Sequence, residues 1–195
     1  FHLTQDNPFI ATLAGIWHLL GTSNVATPIV ITVLVVLLLA RRPGYAGYLV
    51  ACSLGGLIIS ETFKDLVGRG RPEWADPFFV EAGNSFPSGH SLSGICTWAV
   101  LGIICIRVVD GRRGHIFGWA LIVFGLLMAP SRLFFGVHWT TDVLAGWAFG
   151  LGWTLLVTAV FVAIQLRRQS DSIQSLTDEA RSEIGSDGQR GSRSE

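Results

Sequence analysis

Charged residues are scarce in this 195-residue sequence, where they make up 14% of the total, against about 25% in an ordinary soluble domain. Lys and Arg number 14, as do Asp and Glu, so the formal net charge at pH 7 is +0. A chain without net positive charge has no field that gathers nucleic acid, and we expect no nucleic-acid partner. The shortage of charge also argues against a simple soluble globule.

Cysteine is rare as well, with three residues in the chain. Cys52, Cys96 and Cys105 all lie in apolar runs, without the paired spacing or the nearby histidines of a zinc site. We therefore expect small apolar packing residues, and neither a metal nor another cofactor. The chain opens on Phe1 without a charged segment followed by a cleavage site, so we expect a fragment or a processed product.

Long apolar runs are what the sequence does have, since 50% of its residues are hydrophobic. About 20 mostly apolar residues cross the hydrocarbon core of a bilayer. Five runs approach or reach this length, the first when it is extended backwards through Gly21. They are residues 25–40, 45–63, 91–106, 114–130 and 143–166. We predict an all-α, polytopic bundle of transmembrane helices.

The two ends of the chain differ from these runs. Residues 8–20 are apolar but short, and Trp17 and His18 suit headgroup depth. We expect an amphipathic interfacial helix there, or the start of the next span. Residues 167–195 carry eleven charged side chains and few large apolar ones, so they cannot bury enough surface to fold. We predict a membrane-embedded domain over residues 1–166 and a disordered tail over residues 167–195.

The orientation follows from the Arg and Lys residues near the span ends, because these are more frequent in cytoplasmic loops. Seven fall on one side: Arg41, Arg42, Arg107, Arg112, Arg113, Arg167 and Arg168. Four fall on the other: Lys64, Arg69, Arg71 and Arg132. We therefore predict a bacterial-type plasma-membrane protein with a cytoplasmic tail and with the second group of cations on the non-cytoplasmic face.

Three polar stretches meet on that face, each where a span joins a loop. They are KDLVGRGRP at residues 64–72, PSGH at residues 87–90 and SRLFFGVHWTTD at residues 131–142. Taken singly, their residues have ordinary explanations, since a cation at a span end snorkels to the headgroups and a proline starts or ends a helix. Taken together, they indicate a phosphate site.

The PSGH stretch places Ser88, Gly89 and His90 at the start of an apolar helix. Unpaired backbone N–H groups and the positive end of the helix dipole favour an anion at such a position. Gly89 lets a phosphate approach the main chain. His90 is then expected to donate a proton to the departing alkoxide as a general acid.

His138 and Asp142 are four residues apart, which on a helix places both on one face, with Cβ atoms about 5–6 Å apart. The carboxylate would hold one ring nitrogen protonated, and the other would keep a lone pair for attack on phosphorus. Lys64, Arg71 and Arg132 would surround the phosphoryl oxygens with positive charge, so that the reaction needs no metal.

These residues resemble the motifs of the type 2 phosphatidic acid phosphatase family. The matching motifs are K-x6-RP at Lys64, Arg71 and Pro72, PSGH at residues 87–90, and SR-x5-H-x3-D at Ser131, Arg132, His138 and Asp142. The resemblance covers roughly residues 8–166. It implies a metal-independent lipid phosphatase with six transmembrane helices and a phosphohistidine intermediate, in which the residues above hold the roles just described. Because we count five spans, we expect the family's first helix to lie upstream of Phe1.

The substrate is expected to be a membrane lipid phosphate, since five apolar spans argue against the soluble relatives of the family. Arg69 adds a fourth cation, which favours undecaprenyl diphosphate, with phosphatidic acid or another glycerolipid phosphate as the alternative. Aromatic residues of the loop over residues 73–86 are expected to rest at headgroup depth and shape lateral entry. They are Trp74, Phe78, Phe79 and Phe86. Three loop carboxylates, Glu73, Asp76 and Glu81, partly offset the positive field.

Two functions of other classes are less well supported. A transporter is disfavoured because the charges lie at one membrane face rather than at the midplane. An inactive scaffold is disfavoured because both His90 and His138 are present together with Asp142. Beyond the lipid substrate and the bilayer, we expect no obligatory protein partner.

Overall fold

The computed structural model describes residues 7–73 and 81–191, and within these ranges it contains helices and no strand. Six helices follow one another in these two ranges: α1 Pro8–Gly21, α2 Ser23–Leu39, α3 Pro43–Val67, α4 Gly89–Val108, α5 Gly111–Phe134 and α6 Thr140–Gly191. Helix α4 includes a π-helical stretch, Gly94–Ala99. The predicted all-α class is confirmed.

Among the described helices, four are long and apolar enough to cross a membrane, namely α3, α4, α5 and the part of α6 over Thr140–Thr177. Helices α1 and α2 pass the same test as a pair, bent by 53°. The bend lies at Thr22, whose backbone is extended and whose hydroxyl turns back to donate to the carbonyl of Leu19 at 2.7 Å. The described helices thus supply four spans, or five with the bent pair, in agreement with the predicted helical bundle.

Glycines let α4 approach its neighbours closely. A Cβ on Gly94 would overlap the carbonyl oxygen of Gly125 in α5. On another side of α4, a Cβ on Gly146 of α6 would lie 2.7 Å from the carbonyl oxygen of Ser88. In lipid, apolar side chains gain little by leaving the solvent, so this close backbone packing holds helices together. It also brings the beginnings of α4 and α6 side by side.

Large apolar side chains cover much of the outer surface of the helices. Leu39 is 79% exposed, Phe117 62% and Leu155 59%. Such exposure is costly in water, at about 25 cal/mol for each Å², whereas it matches the hydrocarbon of a bilayer. The exposed apolar surface is therefore the surface that faces lipid.

Two compact units divide the chain, Phe1–Val157 and Thr158–Glu195. We predicted disorder over residues 167–195, and the structure instead continues α6 as a helix to Gly191. Residues 192–195 lie outside the described residues. Residues 165–177 are exposed, as their polar composition predicts. That composition excludes a packed core, but no proline interrupts residues 167–191, so the backbone hydrogen bonds of a solvated helix can continue.

Candidate active site

Hydrogen bonds near the ends of the three motif stretches hold these stretches close together. The side chain of Asn84 donates to the carbonyl of Lys64, near the end of α3, at 2.9 Å. The backbone N–H of Ser88 donates to the carbonyl of Asp142 at 3.0 Å, which joins the start of α4 to the start of α6. The loop before α4 is thereby held between the other two stretches.

His138 and Asp142 lie close together, as we predicted. The prediction that both lie on one helix is wrong. Helix α6 begins at Thr140, so His138 precedes it. Asp142, in the first turn, reaches back and accepts a hydrogen bond from the backbone N–H of Trp139 at 3.0 Å, as an acidic residue does in a helix cap. Its Oδ2 lies 3.5 Å from Nδ1 of His138, an electrostatic contact rather than a hydrogen bond. The cap, instead of a helix face, brings the two buried side chains together.

Arg71 reaches the opposite edge of the His138 ring. Its Nη1 lies 3.0 Å from Nε2 of His138 and also donates to the carbonyl of Val137 at 3.0 Å. A guanidinium can only donate, so Nε2 accepts and the ring hydrogen lies on Nδ1, toward Asp142. The lone pair of Nε2 thus faces the cationic side of the site, in the tautomer that a nucleophilic histidine requires.

Glu81 occupies the space between two arginines. Its Oε2 lies 2.7 Å from Nη1 of Arg71, and its Oε1 lies 2.5 Å from Nη2 of Arg132. The same Oε2 is 3.7 Å from Nε2 of His138. A carboxylate therefore lies where two guanidinium groups and the imidazole nitrogen converge, an arrangement that also suits a phosphate.

Burial and charge shift the pKa values of this cluster. Burial, followed by the charges of Arg71 and Arg132, lowers the pKa of His138 to about 4. Burial by itself would raise the pKa of Glu81, but Arg132 and Arg71 outweigh it and lower that pKa to about 2. At neutral pH the site therefore holds a neutral imidazole and an ionised carboxylate.

Arg132 and His90 both contact His18 of α1. Arg132 is fully buried in the last turn of α5, and its Nη1 lies 2.7 Å from Nδ1 of His18. His90, in the first turn of α4, directs Nε2 at the carbonyl oxygen of His18 at 3.3 Å. The rings of His18 and His90 stack, with centroids 5.3 Å apart and planes inclined by 16°. Through His18, helix α1 thus contacts both Arg132 and His90.

Lys64, Ser88 and Gly89 lie at the edge of this cluster. The Nζ of Lys64 bonds to Glu61 at 2.8 Å, one helical turn away. A Cβ on Gly89 would lie 3.7 Å from the same Nζ, so Lys64 and the start of α4 are neighbours. The hydroxyl of buried Ser88 accepts from the backbone N–H of Ser91 at 3.4 Å and caps α4.

A cavity of about 530 Å³ opens from these residues into the bundle. Its polar end is lined by Lys64, Arg71, Glu81, Gly89, His90 and His138. It continues between α2, α3 and α4 past small and apolar side chains, including Ala26, Val30 and Leu57. One continuous space therefore joins the charged cluster to an apolar passage between helices.

Arg69 does not join the cations around Glu81. Its Nη1 donates to Oδ1 of Asp142 at 2.8 Å and to the hydroxyl of Thr141 at 2.7 Å. Through Asp142 it lies toward the Nδ1 edge of His138, whereas Arg71 is at the Nε2 edge. The expectation that Arg69 adds a fourth phosphate-binding cation is not supported by this geometry.

The aromatic residues expected to shape lateral entry are described only in part. Trp74, Phe78 and Phe79 lie outside the described residues. Phe86 packs edge-on against Phe149, with ring centroids 6.2 Å apart, and beneath the guanidinium of Arg69. Phe86 thus fastens the loop to α6.

The cysteines take part in helix packing. Cys52 and Cys96 are buried free thiols, and Cys105 is partly exposed. The Sγ of Cys96 lies 3.6 Å from the carbonyl oxygen of Gly150. Within the part of the chain that the structure describes, no group of three His, Cys, Asp or Glu residues is arranged to hold a metal ion.

Sequence reasoning missed the positions of two residues. We interpreted Glu81 as a loop charge and His18 as a headgroup-depth residue, and both contact Arg132. A signal for Glu81 existed, because two arginines brought together at a membrane protein's histidine need a counter-ion. His18 had no such signal, since its contacts with His90 and Arg132 span 72 and 114 residues of chain.

Known proteins are similar to this one over most of the chain. A family model described as the PAP2 superfamily matches residues 44–165. Phosphatidylglycerophosphatase B of Bacillus subtilis (strain 168) is 30% identical over 160 residues, which cover 80% of this chain and 77% of that protein. Undecaprenyl-diphosphatase of Sulfolobus acidocaldarius is 29% identical over 150 residues, which cover 72% of this chain and 67% of that protein.

A solved structure has the same fold. It is the crystal structure of a transmembrane PAP2 type phosphatidylglycerolphosphate phosphatase from Bacillus subtilis, with a TM-score of 0.73 and 24% sequence identity. The match covers 81% of this chain and 79% of that one. The helical membrane fold is therefore shared, while at this identity the likeness concerns the fold alone.

Proposed function

Because the chain belongs to the PAP2 superfamily, we propose that it is an integral-membrane lipid phosphatase that works through a phosphohistidine intermediate. One observation carries the proposal: Nε2 of buried His138, whose lone pair accepts from Arg71, lies 3.7 Å from the Glu81 carboxylate that Arg71 and Arg132 both bind. A phosphate bound to both arginines in place of the Glu81 carboxylate would draw Arg71 Nη1 away from Nε2 and present its phosphorus to the freed lone pair.

The first step is attack by Nε2 of His138 on phosphorus. A P–N bond forms, the P–O bond to the lipid breaks, and the lipid alkoxide takes a proton from the imidazolium form of His90. Asp142 then stabilises the positive charge on the phosphorylated ring. In the second step water gives a proton to His90 and attacks phosphorus. A P–O bond forms and the P–N bond breaks, which releases phosphate and restores neutral His138.

Arg71 and Arg132 stabilise the charge of the transferring phosphoryl group, and Lys64 beside Gly89 supplies a third cation. Vanadate imitates the five-coordinate phosphorus and is expected to inhibit. Three cations from the chain supply the positive charge that a metal brings elsewhere, so we expect full activity in EDTA. Loss of activity in the chelator that magnesium restores would contradict this part of the proposal.

The nucleophile is tested by His138→Gln in purified protein, with phosphate release from a lipid phosphate as the assay. We expect activity to fall to background, and we expect the wild type, quenched in alkali during turnover, to carry an acid-labile phosphate. The matched control is His115→Gln, because His115 is exposed near the start of α5. A fully active His138→Gln protein would refute the mechanism.

For the substrate, a glycerolipid phosphate is the first candidate. Arg69 is paired with Asp142 instead of the phosphate-binding arginines, and a phosphatidylglycerophosphatase matches 80% of the chain. Undecaprenyl diphosphate is the second candidate, supported by the undecaprenyl-diphosphatase that matches 72%. Phosphate release from phosphatidylglycerophosphate, phosphatidic acid and undecaprenyl diphosphate in one detergent decides between them. A preference for the diphosphate that Arg69→Ala abolishes would reverse the order.

The site is proposed to face the non-cytoplasmic side, with the tail in the cytoplasm, on the bias of Arg and Lys near the span ends. The test uses intact cells and a membrane-impermeant maleimide. Glu73→Cys, near the site, should label, and Ser172→Cys, in the tail, should label only after the cells are opened. The reverse pattern would invert the orientation.

A further inference from the structure

We propose that His18 is a positioning residue of the active site, which holds the Arg132 guanidinium and the His90 ring in place for phosphoryl transfer. The inference rests on the proposed phosphatase function and adds a residue outside the matched family region, residues 44–165. It makes α1 part of the catalytic apparatus.

The first contact is with the arginine. Nη1 of Arg132 lies 2.7 Å from Nδ1 of His18, and a guanidinium only donates, so Nδ1 of His18 accepts. The other end of the guanidinium, Nη2, donates to Glu81. When a phosphate replaces Glu81, Nη1 of Arg132 still donates to His18, and this hydrogen bond preserves the direction in which Nη2 points. A fully buried guanidinium depends on such partners for its orientation.

The second contact is with the proposed general acid. The carbonyl oxygen of His18 accepts from Nε2 of His90 at 3.3 Å, and the two rings stack 5.3 Å apart. This approach requires a small residue nearby, because a Cβ on Gly21 would overlap the His90 ring. His90 is thereby held between α4, which carries it, and the backbone and ring of α1.

Helix α1 is also anchored by a residue that does not touch the site. Trp17 donates from Nε1 to the carbonyl of Phe124 in α5 at 3.3 Å and stacks on the ring of Phe124 at 5.5 Å. Docking of α1 and positioning of Arg132 are thus carried by adjacent residues with different contacts. Trp17→Phe therefore separates a loss of helix docking from a loss of positioning.

The geometry also distinguishes two polar substitutions. The Oδ1 of an asparagine takes the place of Nδ1 in His18 and accepts from Arg132, whereas the longer glutamine places its oxygen nearer the position of Nε2. His18→Asn should therefore recover most of the function lost in His18→Leu, and His18→Gln should recover less. A residue that only fills space would show no such order.

The experiment measures kcat and KM for a lipid phosphate, the vanadate inhibition constant, and the thermal shift that vanadate produces. His18→Leu is expected to raise KM and the vanadate constant about tenfold through one lost hydrogen bond to a charged group, with a smaller fall in kcat. Trp17→Phe should lower the unliganded Tm while KM and the vanadate constant stay within twofold.

Unchanged KM and vanadate constant in His18→Leu would overturn the proposal. The proposal would also be overturned if the Leu, Asn and Gln variants lost substrate and vanadate affinity equally and in proportion to their decrease in Tm. That pattern would indicate that His18 contributes only to the docking of α1. If His18→Leu does not fold, the order of His18→Asn and His18→Gln decides. The vanadate thermal shift needs no turnover, so it tests His18 even if the wild type hydrolyses no lipid, an outcome that would instead reject the proposed function.

Discussion

Replacing Glu81 by Gln should increase the affinity of the site for phosphate analogues. Its carboxylate is bound by Arg71 and Arg132, and any anion that uses these arginines must displace it. The pKa of Glu81 falls from 4.5 to about 2, the net result of burial, which raises it, and the two arginines, which lower it. That fall corresponds to about 3 kcal/mol in favour of the ionised carboxylate. Glutamine keeps a hydrogen-bond acceptor but not the charge, so we expect vanadate binding to gain about half of this free energy. That gain corresponds to roughly a tenfold decrease in the vanadate inhibition constant.

The assay is inhibition of phosphate release by vanadate at fixed ionic strength, with the vanadate thermal shift as a second measurement. The matched control is Glu73→Gln, which removes the same charge from an exposed position before the undescribed part of the loop. Salt screens exposed charges, so this control should change the constant less than twofold. An unchanged or larger vanadate constant in Glu81→Gln would show that the carboxylate does not compete with phosphate.

Three further predictions concern acidity, proton transfer and packing. Attack requires neutral His138, whose pKa is lowered to about 4, so the acidic limb of kcat/KM, corrected for substrate ionisation, should lie near pH 4. An acidic limb near pH 6.5 would contradict the described environment, whereas a fall at higher pH belongs to loss of the His90 proton. His90→Ala should impair an alkyl phosphate far more than p-nitrophenyl phosphate, whose leaving group needs no proton, and equal losses would remove the general-acid role. Gly125→Leu should lower the free energy of unfolding in detergent by about 1–3 kcal/mol or more, because its Cβ would overlap the carbonyl of Gly94. Gly47→Ala should leave the stability unchanged, because the space around Gly47 is open.

The spans were predictable because spanning a bilayer is a local property of the chain. An apolar run of sufficient length has to form a helix in hydrocarbon, whatever its neighbours are. The run over residues 45–63 therefore indicated α3, Pro43–Val67, although its ends differ by a few residues. Composition was a weaker guide to the polar tail, because absence of a core does not prevent a solvated helix.

The motifs identified most residues of the cluster, and one of their geometric interpretations was wrong. The spacing of His138 and Asp142 predicted a shared helix face, whereas the pair meets through the cap of α6. Both a helix turn and a cap bring residues three or four apart together, so spacing by itself does not separate them. The contact was predictable and its mechanism was not.

By itself, the sequence determined the helical membrane architecture and the three motifs, since apolar run length and short-range spacing are read along the chain. Only the tertiary structure decided how the charges are shared: Arg71 and Arg132 bind Glu81, while Arg69 binds Asp142. It also decided that His18 reaches Arg132 across 114 residues. The physical reason is that ion pairs and buried hydrogen bonds depend on distances of a few ångström between distant segments, and these distances exist only after the helices have packed.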